Sequence, residues 1–492
     1  MSVKKFLSEN RNRLIWVSVL VMMFFGIDYT LEYATDTYST FFESDSWTYS
    51  IYQNGRPLQA LLFYLIEKMG LSGPKCYYAS WFIAIIALIL ACVLLSIILD
   101  KHMNNEFFSV IIAFITLANP MIVEYFLFVE KGMFMCIIFL NVVAVYFTEK
   151  LFYEEKRPGR RLVYVAIIAV CLLTAVTTYQ VSVNTYVVMC LPLIICTPEN
   201  FVRKNVFVAV MYAIPMGISV IIARMLSLGR LGGFPGVIKG LASVAHGLRE
   251  IMFGSFWYMR NGRMLLFFIL SLVLIVLSVL AEKKLTVAFG YIYIVLGCVM
   301  VSFLLHFATG DDHVNPRIVY SFGMIFGVVL IYFAFLQKSF SFGKYQSILR
   351  KGSVAVSLIL IVAMIVCEYI AFSRVFIERY KLNAADMYYA QIIEEQIKEY
   401  EEATGNKIDT FCYYSDKNRT WYEKGLDESQ MNTRAQSCGW SRLTSINTYL
   451  GTNYVEGEPD PKYEKYFAEK DWGTYSSEQV ILEDNRIHIC IY

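Results

Sequence analysis

The segment from residue 28 to residue 58 concentrates side chains that could carry out acid–base chemistry. It reads DYTLEYATDTYSTFFESDSWTYSIYQNGRPL, and its charged residues are Asp28, Glu32, Asp36, Glu43, Asp45 and Arg56. A carboxylate placed beside a hydroxyl can remove its proton, so the segment is a candidate for general-base catalysis. Asp36 is the first candidate, followed by Glu43 and Asp28. The alternative is an acidic loop that contributes only to solubility.

Arg56 follows a turn signal, and its surroundings favour an anion. Gly55 permits a tight turn, and Pro57 suits the first position of a helix. Arg56 would then stand at a helix N-terminus, where anions are favoured, and its guanidinium suits bidentate contact with phosphate. The alternative is an arginine that reaches lipid headgroups at the membrane interface.

Two further motifs place polar groups at the ends of apolar runs. NPMIVEYFLFVEKG contains Glu124, Glu130 and Lys131 after a proline, and TTYQVSVN contains Tyr179 and Gln180. Carboxylates, amides and a phenol hydroxyl are all suited to hydrogen bonds with sugar hydroxyls. The alternatives are a short polar connection in the first motif, and helix capping with an aromatic interface belt in the second.

The motif GDDHVNPR at residues 310–317 offers Asp311, Asp312, His313 and Arg317. Three adjacent residues rarely converge on one ion, so we predict no metal site, although the acidic groups remain compatible with a divalent cation. Arg317 is a second candidate partner for phosphate. No cofactor is predicted. Since phosphate-binding glycine motifs are absent, an activated substrate should be one that resides in the membrane.

Composition identifies a polytopic membrane protein. The chain is 57% hydrophobic and 17% charged, with a mean hydropathy of +0.50, whereas soluble domains are about 25% charged. The net charge of +2 gives no indication of nucleic-acid binding, because the basic residues are spread among short loops, and we predict no nucleic-acid partner. Crossing the hydrocarbon core takes about 20 residues, and about eleven apolar runs qualify. They lie near 14–31, 77–99, 107–126, 132–148, 162–179, 183–197, 205–223, 263–281, 285–307, 316–336 and 353–373.

Basic residues mark every second connection between these runs, which sets the orientation. They include Arg11, Arg13, Lys101, Lys150, Arg160, Arg161, Arg203, Lys204, Lys283, Lys284, Arg350 and Lys351. By the positive-inside rule this side is cytoplasmic, together with the N-terminus. The first acidic loop (28–76), the loop 224–262 and the tail then face out. The run 57–69 is too short to cross, and we predict an amphipathic helix at the outer interface.

Two domains are predicted. Residues 1–373 form the membrane domain, whose loop 224–262 is rich in glycine and aromatic residues and suggests re-entrant or interfacial helices. Residues 374–492 form a small extracytoplasmic α/β domain, with a helix near 384–403, a strand at 408–414 and alternating residues at the end. Its cysteines, Cys412, Cys438 and Cys490, allow at most one disulfide. Tyrosine and tryptophan are abundant in the outward segments, where they could stack on sugars or form an interface belt; they are Trp47, Tyr49, Tyr52, Trp257, Tyr258, Trp421, Trp440 and Trp472.

Taken together, these motifs resemble those of the bacterial GtrII-type glucosyltransferases, polytopic enzymes of the GT-C class that use a polyprenyl-phosphate sugar. The resemblance covers most of the membrane part. It rests on the acidic first loop running from Trp47 into GRPL, the NP…E…E motif, the YQ-x-S-x-N motif and the late PR at Pro316. Two departures from the family pattern concern the base. The family often has paired aspartates in the first loop, whereas here Thr37 follows Asp36. At the position of the NP motif where an aspartate is expected, this chain has Glu130.

The resemblance implies a chemistry. An undecaprenyl-phosphate-linked hexose, in this family glucose, would be the donor, and a surface glycan would be the acceptor. Asp36 would be the general base of an inverting transfer at the outer face of the bacterial cytoplasmic membrane. Arg56 and Arg317 would stabilise the leaving phosphate. Glu124, Glu130, Lys131, Tyr179 and Gln180 would line the substrate site. A small flippase would be the partner that supplies the donor.

Two other functions stay open on sequence grounds. A lipid-linked glycan flippase needs a cationic cavity, and the apolar runs hold almost no lysine or arginine. An envelope polysaccharide polymerase often has an arginine-rich outer loop late in the chain. The loop 224–262 does contain arginines, at Arg224, Arg230, Arg249 and Arg260. The polymerase therefore remains the closer alternative.

Overall fold

A computed structural model gives the fold of the chain. It describes residues 8–29, 33–42, 44–71, 73–155, 157–196, 199–226, 233–253, 262–309, 314–337, 347–417, 433–472 and 475–490. The fold is mostly helical, with one small sheet near the C-terminus. All eleven cysteines lie within the described residues, and all have free thiols.

Eight helices in the described residues are long and apolar enough to cross a membrane. They are Arg11–Tyr29, Pro74–Met103, Lys131–Tyr153, Pro158–Thr178, Phe201–Ile222, Arg263–Glu282, Leu285–Ser302 and Ile348–Thr404. Each coincides with a predicted apolar run. The structure thus confirms a polytopic helical protein.

The other three predicted runs are helical but differ in form. Glu106–Leu117 and Pro120–Leu127 make a pair bent by 47°. Gln180–Cys196 and Ile325–Gln337 are shorter apolar helices. The bend follows from Pro120, which lacks an N–H donor, and Asn119, whose side-chain oxygen accepts a hydrogen bond from the Met121 amide at 3.0 Å.

Aromatic packing joins the first, the bent and the last of these helices in one core. Phe24 contacts Phe114 at a ring-centroid distance of 5.0 Å, and Phe25 stacks on Phe126 at 4.2 Å. Phe372 lies 5.6 Å from Phe25. Such pairs add about 0.5–1.5 kcal/mol each beyond the burial of their surface. The core therefore fixes where the chain leaves the first helix and enters the acidic segment.

Basic residues predicted to share one side of the membrane do gather at one end of the bundle. Arg13 forms an ion pair with Asp100 at 2.5 Å and another with Glu106 at 3.3 Å. Lys101 pairs with Glu149 at 3.0 Å and with Glu154 at 2.6 Å. The loops that carry these charges therefore lie together, as the alternation of charge predicts.

The first acidic segment folds into short helices. They are Thr35–Phe42, Ser44–Gln53 and Pro57–Lys68. The last of these confirms the helix predicted over 57–69, and it begins with proline at its first position. Within the loop 224–262, for which we predicted re-entrant or interfacial helices, the structure describes a helix over Gly233–Phe253.

The last apolar run continues far beyond any bilayer. Ile348–Thr404 is a single helix of 57 residues, about 85 Å long at 1.5 Å per residue, whereas the hydrocarbon core is about 30 Å thick. It passes without a break through positions 373 and 374, where we predicted the domain boundary. The helix predicted near 384–403 is its distal half.

A four-stranded sheet packs against the distal half of this helix. The strands are β1 (Thr410–Tyr413), β2 (Val455–Glu456), β3 (Val480–Glu483) and β4 (Arg486–Ile489), in the order β2-β1-β4-β3. β1 is parallel to both β2 and β4, and β3 is antiparallel to β4. Ile393 and Ile397 of the helix join Phe411, Ile487 and Ile489 of the sheet in one apolar cluster. The strands predicted at 408–414 and at the chain end are present.

Candidate active site

Asp36 lies in the first turn of the Thr35–Phe42 helix, beneath a segment from the far end of the chain. The indole nitrogen of Trp440 donates a hydrogen bond to Oδ1 of Asp36 at 3.0 Å. The Ser39 hydroxyl, three residues further along, donates to the backbone oxygen of Trp440 at 2.7 Å. Two contacts thus hold the Trp440 segment on this helix, and the Trp440 side chain is 45% exposed.

A second set of hydrogen bonds fixes the Asp36 helix to the long helix Ile348–Thr404. Asn383 accepts from the Tyr38 hydroxyl at 2.7 Å and from the Tyr33 amide at 3.0 Å, and its own amide donates to the Tyr33 carbonyl at 3.1 Å. The Tyr38 hydroxyl also contacts the hydroxyl of Tyr449. Because Tyr38 is fully buried, these bonds determine the orientation of the helix that carries Asp36.

The Trp440 segment is itself tied down by buried charges. Asp386 on the long helix pairs with Nε of Arg434 at 2.7 Å and accepts from the Ala435 amide at 2.6 Å. Nη1 of Arg379 donates to the Thr433 carbonyl at 3.1 Å. Both arginines are almost fully buried. A charge-assisted hydrogen bond is about twice as strong as a neutral one, so this segment has a defined position.

Arg56 is held at its predicted turn. Gly55 has φ of +74°, and the Gln180 amide donates to the carbonyls of Asn54 and Gly55 at 3.1 and 2.9 Å. Nε of Arg56 donates to Oε1 of Gln180 at 3.3 Å, and its guanidinium lies 4.5 Å from the centroid of the Tyr179 ring. Gln180 and Tyr179 thus support Arg56, a role that the sequence motif did not reveal.

Arg317 is held in a comparable way by the bent helix pair. Its backbone amide donates to Oε2 of Glu124 at 2.5 Å, and its Nε lies 3.8 Å from Oε1. The Tyr125 hydroxyl donates to the Arg317 carbonyl at 2.8 Å. The guanidinium lies 4.7 Å from the centroid of the Phe128 ring. Glu124 is fully buried, while the Arg317 side chain is 24% exposed, so the arginine is the member of the pair that reaches the site.

These groups converge, as their electrostatic interactions show. Burial raises the pKa of Asp36, and the nearby charge of Arg317 and the hydrogen bond from Trp440 oppose that rise. The pKa of Glu130 is raised to about 7, mainly by burial and also by the charge of Asp36, while a backbone hydrogen bond and the charges of Arg317 and Arg56 oppose the rise. Tyr179 interacts with both arginines. Asp36, Glu130, Arg56 and Arg317 are therefore near enough for their charges to interact, and together they form the candidate site.

Asp28 and Lys131 form a separate buried ion pair. Nζ of Lys131 lies 2.5 Å from Oδ2 of Asp28, and the two side chains are 0% and 3% exposed. The Tyr77 hydroxyl donates to Asp28 at 3.2 Å, and its ring centroid lies 3.9 Å from the ammonium. The two charges neutralise each other, which supports a structural role between the first helix and Lys131–Tyr153.

Some predicted residues lie outside the described part of the chain. They include Glu32, Glu43, Arg230, Arg260, Asp311, Asp312 and His313. Among the residues that the structure does describe, no three His, Cys, Asp or Glu side chains are arranged to hold a metal ion.

The site also contains residues that the sequence reasoning did not single out. Arg379 acts electrostatically on Asp36, and Asn383 orders the chain around it. Arg379 had a signal, since it is a basic residue on a segment predicted to face out, where positive charge is less common. Asn383 had none, because its role depends on contacts with Tyr33 and Tyr38, far away in sequence.

The assembled groups can bind an anion and remove a proton. Two arginines act electrostatically on the two carboxylates, of which Glu130 has a pKa of about 7, and the exposed indole of Trp440 contacts Asp36. The family model described as Glucosyl transferase GtrII matches residues 29–332, a range that includes Asp36, Arg56, Glu130 and Arg317. No curated protein matches the chain. Because the match covers more than half of the 492 residues, the chain belongs to the GtrII glucosyltransferase family and is a membrane glycosyltransferase.

Proposed function

We propose that this glucosyltransferase takes glucose from undecaprenyl phosphate and transfers it to a hydroxyl of a cell-surface glycan. The observation that carries the proposal is the convergence of Asp36 and Glu130 with Arg56 and Arg317 at one site. A base for the acceptor and cations for a phosphate are the two requirements of this transfer. Family membership favours this enzyme over the flippase and polymerase alternatives.

Asp36 is the general base in this mechanism. Its carboxylate takes the proton of the acceptor hydroxyl while that oxygen forms a bond to the anomeric carbon. The bond between the anomeric carbon and the phosphate oxygen breaks, and the electron pair leaves with the lipid phosphate. A direct displacement of this kind inverts the anomeric configuration. The Trp440 indole holds the carboxylate by donating its N–H to Oδ1. Glu43 is retained as a second candidate base.

Arg56 and Arg317 bind the phosphate that leaves. The negative charge on this group grows as the glycosidic bond breaks, and fixed cations stabilise it without rearranging. Gln180 and Glu124 hold the two arginines, and we assign them this positioning role in place of direct contact with sugar. Since phosphate is a good leaving group, no acid is required.

Glu130 and Tyr179 are assigned to the sugar. With a pKa of about 7, Glu130 is partly protonated at neutral pH, so its carboxyl can both donate to and accept from sugar hydroxyls. Asp28 and Lys131 are assigned a structural role, because each neutralises the other.

We propose the GT-C-like arrangement for the fold, with about eleven crossings when the bent pair and the two shorter helices are counted with the longer ones. The active site would face away from the cytoplasm, in the cytoplasmic membrane of a bacterium. Residues 374–492 would form the extracytoplasmic domain. The N-terminus would be cytoplasmic, and a small flippase would deliver the donor.

The donor is tested with membranes that contain the full-length protein and lack other glucosyltransferases. Glucosyl undecaprenyl phosphate and a soluble sugar nucleotide, uridine diphosphate glucose, are supplied separately, and glucose incorporated into glycan is measured. We expect transfer from the lipid donor alone. Transfer from the sugar nucleotide in membranes free of polyprenyl phosphate would contradict the proposal.

A further inference from the structure

A cavity of about 200 Å³ lies at the end of the bundle opposite the active site. It is formed where the helix Lys131–Tyr153 ends and where Pro158–Thr178 and Phe201–Met225 begin. A single water needs roughly 10–15 Å³ of such volume, so the cavity has room for a larger polar group. Its lining residues are Leu151, Phe152, Arg161, Val165, Asn200, Arg203, Lys204 and Phe207.

Three of the eight lining residues are cations, and none is an acid. Lys204 is only 7% exposed, and its ammonium lies 5.5 Å from the ring centroid of Phe152. Glu199 interacts electrostatically with Lys204, and the backbone carbonyl of Glu155 accepts a hydrogen bond from Arg161 at 3.4 Å. Concentrating positive charge around a partly buried space is unfavourable unless an anion offsets it.

The rest of the cavity is apolar and adjoins the lipid-facing surface. Leu151, Phe152, Val165 and Phe207 supply the apolar wall. On the outside of the neighbouring helices, Leu162 and Val202 are each 71% exposed and Val206 is 55% exposed. An occupant with an anionic head and aliphatic tails would satisfy both surfaces, whereas a free anion would use only the cations.

We propose that this cavity binds the phosphate headgroup of an anionic phospholipid. Arg161 and Arg203 contact the phosphate, and the more deeply buried Lys204 adds its positive charge. The acyl chains run along the exposed side chains of Leu162, Val202 and Val206. The positive-inside rule assigns this end to the cytoplasmic leaflet, where anionic lipids attract basic residues. The proposal does not depend on the chemistry assigned to the active site.

The test uses the full-length protein, purified in a neutral detergent and stripped of lipid. Thermal unfolding is followed while phosphatidylglycerol, phosphatidylcholine or inorganic phosphate is added at equal concentrations. We expect phosphatidylglycerol to raise the unfolding temperature more than the other two. Native mass spectrometry of the wild-type protein should show retained phosphatidylglycerol in preference to phosphatidylcholine.

Neighbouring arginines provide a matched control. Arg161 lines the cavity, whereas Arg160 does not and its side chain is 61% exposed. The double variant Arg161→Gln/Arg203→Gln should bind phosphatidylglycerol about tenfold more weakly or worse, since charge-assisted hydrogen bonds are lost. Arg160→Gln should bind as the wild type does.

Three results would overturn the proposal. The first is that phosphatidylcholine raises the unfolding temperature as much as phosphatidylglycerol does. The second is that inorganic phosphate does so, which would indicate a site for a free anion. The third is that the double variant binds phosphatidylglycerol as tightly as the wild type. If the double variant does not fold, native mass spectrometry of the wild-type protein decides: preferential retention of phosphatidylglycerol over phosphatidylcholine supports the proposal, and equal retention contradicts it.

Discussion

The indole nitrogen of Trp440 donates to the Asp36 carboxylate at 3.0 Å, across a sequence separation of 404 residues. Trp440 lies beyond residue 332, where the family match ends. The C-terminal region is therefore part of the site and not an appendage. Since the Trp440 ring is 45% exposed, it also offers an aromatic face on which a sugar ring of the acceptor could stack.

Replacing Trp440 by phenylalanine keeps the ring and removes the hydrogen bond to Asp36. The base must be ionised to act, so activity falls as the pH drops through the pKa of Asp36. The Trp440 N–H lowers that pKa. Its loss should move the acid limb of the pH–activity profile to higher pH, with several-fold lower activity below the limb and recovery above it.

The matched control for this experiment is Trp472→Phe. Trp472 lies in the same C-terminal region and packs against Phe467, away from Asp36. The pH–activity profile of this variant should have its acid limb at the same pH as that of the wild type. A Trp440→Phe protein with a uniformly reduced rate and an unmoved midpoint would contradict the assigned role of the hydrogen bond.

Arg317 and Glu124 allow stability to be separated from chemistry. Arg317→Gln leaves the Glu124 carboxylate buried without its cation, which should lower the free energy of unfolding by about 3 kcal/mol and abolish transfer. The double variant Arg317→Gln/Glu124→Gln should regain most of the stability, as measured by denaturant unfolding in detergent, and remain inactive. Recovery of transfer in the double variant would show that Arg317 serves only to neutralise Glu124.

The ion pair between Asp28 and Lys131 should behave differently. Removing either charge alone should lower the free energy of unfolding by about 3–5 kcal/mol, because the remaining charge is buried without its partner. Asp28→Leu combined with Lys131→Met should recover folding and retain glucosyl transfer. A double variant that unfolds at the wild-type temperature but is inactive would return Asp28 to the set of catalytic carboxylates.

Gly323 provides a test of packing at the bend of the helix pair, where it contacts Asn119. A Cβ at this position would lie 2.1 Å from Oδ1 of Asn119, the atom that caps the bend. Gly323→Ala should therefore lower stability by about 1–3 kcal/mol and reduce transfer. Gly217→Ala is the control, since a Cβ there meets no atom within 4 Å, and it should stabilise its helix by up to about 1 kcal/mol. Similar unfolding temperatures for the two variants would contradict the assigned packing.

Much of the architecture could be predicted from hydropathy and charge. The apolar runs are helices because a membrane requires every backbone group to be bonded within its own segment, and Arg13 and Lys101 share one end because short loops follow the positive-inside rule. The turn at Gly55 and the helix from Pro57 follow from local backbone preferences. These features depend on residues close in sequence, and they could therefore be predicted from the sequence alone.

The remainder depended on contacts between distant residues. Asp28 is buried in an ion pair with Lys131, and no spacing rule links the two positions. The side chains of Gln180 and Glu124 are of types that bind sugar hydroxyls. In the structure Gln180 contacts Arg56 and Glu124 contacts Arg317. The uninterrupted helix through positions 373 and 374 also escaped prediction, because a change in composition does not by itself end a helix.

The most direct test of the account is the transfer activity of Asp36→Asn. The variant keeps the size of the side chain and an acceptor oxygen for the Trp440 N–H, but it cannot take a proton. Initial rates are measured with glucosyl undecaprenyl phosphate in membranes, at matched protein levels and matched unfolding temperature. We predict a fall in rate of at least about 10²-fold with donor binding retained. Wild-type transfer by a correctly folded Asp36→Asn protein would contradict the assignment of Asp36 as the base.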